Sequence, residues 1–105
     1  MTDRISMYRA YLDKKPNDRF ALYSLAFELG KAGHITEAEQ AFADLLDKHP
    51  QSGAGHFQLG SLLESDGRED EARVAWERGL AALEGCDDPE AHRSRVEIQA
   101  ALDLL

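Results

Sequence analysis

Residues 25–46 read LAFELGKAGHITEAEQAFADLL, and residues 59–80 read LGSLLESDGREDEARVAWERGL. Laid over each other at an offset of 34 residues, Leu25-Ala26 falls on Leu59-Gly60, Leu29 on Leu63, Gly33 on Gly67, Glu37 on Glu71, Ala38 on Ala72, Phe42 on Trp76 and Leu46 on Leu80. Outside these windows Pro16 returns as Pro50 at the same offset. Like residues recurring at one spacing of this length mark a stacked array, in which a single unit cannot bury its apolar face and closes its core against the next. In such a chain the function is sought on the surface.

Each copy carries the apolar period of a helix pair. Leu22, Leu25, Ala26 and Leu29 share one face of a helix within Arg19–Gly30, with Asn17 or Asp18 able to cap its start and Gly33 to stop it. Thr36, followed three residues later by Glu39, has capping-box spacing and predicts the start of a partner helix whose inner face is Ala38, Ala41, Phe42, Leu45 and Leu46, up to Pro50. The second copy predicts the same hairpin, with Ser52 or Gly53 opening, Gly67 breaking, and Ala72, Ala75, Trp76, Gly79, Leu80 and Leu83 facing inward. Small residues at Ala26, Ala38, Gly60 and Ala72 let helices approach closely, and Phe42 and Trp76 fill the space beside that contact as core residues. At the front, Ile5, Tyr8, Tyr11 and Leu12 stripe a helix that Pro16 terminates. At the back, Asp88-Pro89 is a helix start, and Ile98, Ala101, Leu102 and Leu105 give that helix an apolar edge. Arg93 and Ser94 fall there where Leu-Gly should recur, so this helix leaves the register and reads as a cap.

The matched residues resemble the tetratricopeptide repeat pattern of Trp, Leu-Gly and Tyr, then Ala, Phe and Pro. The first copy has Leu22, Leu25-Ala26, Leu29, Ala38, Phe42 and Pro50; the second has His56, Leu59-Gly60, Leu63, Ala72 and Trp76. Arg4, His56 and Glu84 depart from the pattern at the small, first large and closing Pro positions. The resemblance implies an all-α fold, a right-handed alpha-alpha superhelix of antiparallel helix pairs with about six helices. One domain over residues 1–105 is expected, with an N-terminal half-repeat helix (1–18), repeat 1 (19–52), repeat 2 (53–86) and a C-terminal capping helix (87–105).

Composition narrows the function further. The chain has 105 residues and a formal net charge of -8, with +1 on residues 1–18, -2 on 19–52, -4 on 53–86 and -3 on 87–105. Scattered Lys and Arg in an acidic chain argue against nucleic-acid binding, which needs clustered cations. Most of the acidity lies in the second half, either as a solvated face or as a steering field for a basic partner. No apolar run approaches the roughly 18 residues of a membrane helix, and Asp3, Arg4, Arg9 and Asp13 interrupt any signal-like stretch. A soluble cytoplasmic protein is expected. The one cysteine, Cys86, has no partner for an internal disulfide. His34, His49, His56 and His92 form no two-ligand helical pair, and Asp66, Glu69, Asp70 and Glu71 do not have calcium-loop spacing. Ser24 has no obvious His and Asp partners, and no Gly-rich phosphate loop occurs. Neither an enzyme nor a bound metal or cofactor is expected.

The first helix of the first repeat is more apolar than packing requires. Phe20, Tyr23 and Phe27 make a second stripe beside its inner one, and Phe57 stands one period after Tyr23. In tetratricopeptide repeats the first helix of each pair lines a concave face, and the resemblance places Phe20, Tyr23, Ser24, Phe27 and Lys31, then Phe57, Gln58 and Ser61, in that groove. It implies binding of a peptide or helical segment of another protein. Chaperone-binding members hold a terminal carboxylate there with Lys, Asn and Arg; Tyr23, Phe27 and Gln58 replace that clamp here, with Lys31 as the sole cation. Two alternatives stay open: the flanking helices fold over the aromatic stripe, or a second copy covers it in a homodimer with no separate peptide site.

Because the matched positions are helical throughout and no window alternates like a strand, far-UV circular dichroism is expected to show a mostly helical protein that melts cooperatively. Substantial sheet in the spectrum would end the repeat reading.

Overall fold

The computed structural model describes residues 3–105. Met1 and Thr2, part of the expected N-terminal half-repeat, lie outside the described residues. Among these residues there are six helices and no strand: α1 (Arg4–Lys14), α2 (Arg19–Lys31), α3 (Ile35–Lys48), α4 (Gly53–Ser65), α5 (Glu69–Ala82) and α6 (Pro89–Asp103). The fold is all-α and built of helix hairpins, as the period predicts. The chain forms two compact units, one ending at His49 with α1 to α3 and one from Pro50 to Leu105 with α4 to α6.

The helices start in two ways. Asp3, Asp18, Ser52 and Asp88 each cap a helix with a side-chain oxygen that accepts from the N–H three residues on, at 2.7, 2.9, 3.2 and 2.9 Å. That bond also holds the Asp3 carboxyl below the usual aspartate value. The second helices of the hairpins begin otherwise, which corrects the capping box expected at Thr36 and Glu39. Gly33 takes φ 84°, and the His34 N–H reaches back to the Leu29 carbonyl at 3.0 Å. This closes the turn so tightly that α3 starts at Ile35, with His34 in the cap position and no side-chain cap. Thr36 is thus already inside the helix. Gly67 (φ 78°) and Arg68 do the same for α5. In both, the cap residue turns toward an acid three positions on: His34 lies 3.9 Å from Glu37, and Arg68 hydrogen-bonds Glu71. A carboxylate in the first turn also meets the positive end of the helix dipole.

In the first unit the predicted inner faces meet. Ala21, Leu22, Ala26 and Leu29 of α2 and Ala38, Ala41, Phe42 and Leu45 of α3 are buried. α1 packs against α2 but has no fully buried residue of its own. It is held partly by ion pairs, Arg9 to Glu37 at 2.6 Å and Arg4 to Glu28 at 3.4 Å. The exposed Arg9–Glu37 pair contributes about 0–1 kcal/mol. The end of α3 is fastened to the α1–α2 loop, where Lys48 Nζ donates to the Pro16 carbonyl (3.0 Å) and His49 Nε2 lies 2.6 Å from the Asn17 carbonyl.

The second unit repeats the hairpin and adds α6, which packs against both α4 and α5. A Cβ at Gly60 would overlap the Trp76 indole, so the ring lies flat on the α4 backbone and its Nε1 donates to the Phe57 carbonyl at 3.0 Å. His56, standing one period after Leu22, is buried, and its Nε2 sits 2.8 Å from the Pro50 carbonyl. Room for the imidazole comes from Gly79, one period after Leu45: a Cβ there would meet His56 Cβ at 2.7 Å and Ile98 Cδ1 at 3.2 Å. α6 enters through the same space, with Ala91, Ser94 and Ile98 buried. Ser94 occupies the position beside Gly53 that a side chain there would need. Arg95 fastens the joint, donating to the Leu83 and Cys86 carbonyls at 2.9 and 2.7 Å.

Phe42→Ala and Trp76→Ala are each expected to cost about 3–5 kcal/mol in chemical denaturation, since both remove a large buried ring. Gly60→Ala, a gain of one methyl, is expected to cost about 1–3 kcal/mol by displacing the indole, with a visible change in tryptophan fluorescence. The Arg68 hydrogen bond holds the Glu71 carboxyl below the ordinary glutamate range. Its contribution is therefore present above the unfolded-state value and lost as pH falls through the folded one. An NMR titration is expected to show Glu71 depressed in the wild type and restored upward in Arg68→Gln.

Candidate interaction surface

The α2 stripe is built by turn spacing alone. Phe20, Tyr23, Ser24, Phe27 and Lys31 fall within about 100° of arc on one helix. Phe20 is 71% exposed, meeting Tyr8 of α1 edge-on with centroids 6.5 Å apart. Tyr23 and Phe27, one turn apart, stack at 6.1 Å with 17° between planes. Phe27 is 37% exposed, and Lys31 Nζ lies 5.7 Å from its ring centroid, within cation–π range. The same lysine is 3.8 Å from Glu28, which also faces Arg4. The result is a run of aromatic rings rimmed by two cations around one half-buried carboxylate. α1 touches this stripe at Phe20 without burying it. Ser24 differs from its neighbours on the arc: at 7% exposure it lies beneath the surface.

On α4 the corresponding positions are more committed. Phe57 is half-buried and stacks on Trp76 at 6.4 Å with 22° between planes. Its carbonyl accepts both the Trp76 indole N–H and the Ser61 hydroxyl, each at 3.0 Å. Phe57 thus belongs to the edge of the core as well as to the helix face, and Ser61 spends its proton inside its own helix. Gln58 is half-exposed between them. Treating Phe57 as a groove residue and Trp76 as core overlooks this stack. The enlargement from Phe42 to Trp76 one period on is the signal that points to it, because the longer indole reaches further along α4.

Three of the four histidines have structural partners. His49 and His56 bond to backbone carbonyls and His34 sits beside Glu37. Among the described residues no three metal-ligating side chains gather, and no helix is long and apolar enough to cross a membrane.

Residues 23–89, more than half of the chain, match the family model for the tetratricopeptide repeat. Comparison with curated proteins and with solved structures found no match. Repeats of this family generally mediate protein–protein interaction and are typically non-enzymatic modules. With two helix hairpins in register, small residues at their crossings and a family match across both, the chain belongs to the tetratricopeptide repeat family.

Proposed function

We propose that the protein is an interaction module that receives a peptide or helical segment of another protein on the aromatic face of α2. Phe20, Tyr23 and Phe27 anchor it, Lys31 stands at the rim, and buried Ser24 supports the face from beneath. The observation that carries this reading is Phe20, a large ring 71% exposed at the head of three aromatic side chains spaced by helix turns. Single exposed apolar residues are ordinary, but a contiguous aromatic run beyond what the core uses marks a contact surface. Covering the Phe20 ring contributes about 2–3 kcal/mol, and buried aromatics of this kind supply most of the energy at protein interfaces. Taken by itself, α4 offers a smaller surface at Phe57, Gln58 and Ser61, because Phe57 already serves Trp76. The attraction for a basic partner comes from residues 53–86 and 87–105, with -4 and -3. Beside the aromatic face itself stand Arg4, Glu28 and Lys31, so the acidic field guides arrival more than it seats the segment.

Affinity capture with the wild type, Tyr23→Ala/Phe27→Ala and the exposed control Val74→Ser tests the site. A protein captured by wild type and control and lost by the double variant is expected; equal capture by all three would remove the α2 face from the reading. If the double variant instead dissolves a dimer of the protein alone, a second copy is the occupant. Phe20→Ser is expected to stay within about 0.5 kcal/mol of the wild type in stability. A loss as large as that of Trp76→Ala would show the ring to be core.

A further inference from the structure

We infer that the outward faces of α1 and α6 form a head-to-tail contact between copies of this chain. On α1, Met7 and Tyr11 are exposed one turn apart, on the side away from Ile5, Tyr8 and Leu12. At 100° per residue, Lys14 and Arg4 fall within the same arc, and Lys15 follows at the C-cap. On α6, Val96 and Leu104 are exposed, the latter at 86%, with Ala100 between them. Glu97 and Asp103 flank that stripe and outnumber Arg93 within it. The apolar stripe spans about one turn on α1, with a cationic border, and about two turns on α6, with an acidic one.

The charges choose the occupant. A face of α1 against its own copy would bring Lys14 and Lys15 onto like charges, and α6 against α6 would do the same with Glu97 and Asp103. Only α1 against α6 matches apolar stripe to apolar stripe and opposite borders to each other. The two faces differ, so the contact is heterologous, and a copy bound through one face still presents the other. At 0.1 M salt the general repulsion between two chains of formal charge -8 is largely screened beyond the Debye length of about 10 Å, whereas the matched borders act within it. The contact uses none of Phe20, Tyr23 and Phe27, and Arg4 alone stands beside both surfaces.

Sedimentation equilibrium of the protein from about 10 to about 500 µM at low and high salt tests it. The mass is expected to rise with concentration past that of a dimer, and the association constant to fall about tenfold at high salt. Met7→Lys/Tyr11→Lys and Val96→Glu/Leu104→Glu each remove one face, so each alone is expected to be monomeric. Their equimolar mixture is expected to form a heterodimer that grows no further. Should Met7→Lys/Tyr11→Lys lose its helical spectrum, Lys14→Glu/Lys15→Glu replaces it with the same expectation for the protein alone. A wild type that is monomeric to the highest concentration, an assembly that stops at two, or growth that survives loss of either face would overturn the contact. So would loss of growth in Tyr23→Ala/Phe27→Ala, which would place self-association on α2 instead.

Discussion

Two helices can close to backbone contact only where no side chain stands between them, and at Gly60 the second hairpin leaves free the volume of a single methyl. The Trp76 indole takes that volume. From there its N–H reaches the Phe57 carbonyl, and its ring becomes the floor on which the Phe57 ring stacks. Burial, hydrogen bonding and the shape of the α4 surface are thus one interaction seen from three sides. The indole N–H needs a partner once buried, and a helix carbonyl left accessible by a missing Cβ supplies it. The α2 surface is under less constraint. The smaller Phe42 occupies the corresponding position beside Ala26, and Tyr23 stacks along its own helix on Phe27 instead.

The parts of this architecture that were legible in the sequence are those imposed twice. Leu22 to Leu29, Ala38 to Leu45 and their counterparts one period on show the same helical spacing in both copies, so the hairpins and most of their buried residues follow from pattern alone. Asp18, Ser52 and Asp88 announce helix starts through a local hydrogen bond that needs no tertiary context. Thr36 misleads because its capping signal is also local, while the true start of α3 is set by the turn before it. Gly33 and the bond from His34 to Leu29 return the chain to helix two residues sooner than a threonine cap allows. The recurring pair of cap residue and acid, His34 with Glu37 and Arg68 with Glu71, was present in the aligned copies but does not match the familiar box.

The surface is harder to read for a physical reason. Turn spacing says that Phe20, Tyr23, Ser24, Phe27 and Lys31 share a face of α2, and they do. It does not say how deeply each sits, because that depends on the helix lying alongside. Ser24 goes under while Phe20, only a turn away and in contact with Tyr8, stays out. Phe57 is divided between surface and core by a residue distant in the chain. Helical periodicity assigns direction, and neighbours assign depth.

His56 and Gly79 carry a consequence for the chain as a string of parts. In the first hairpin the two register positions hold Leu22 and Leu45, both buried, and the space is filled from within. In the second, the imidazole and the missing side chain leave a notch that Ile98 of α6 enters. The terminal helix therefore fits one hairpin and not the other. The copies share a blueprint yet are no longer interchangeable: exchanging their order, or duplicating the first in place of the second, would leave α6 without a socket. A repeat protein of this size keeps its order of assembly in a difference of side-chain volume at two positions.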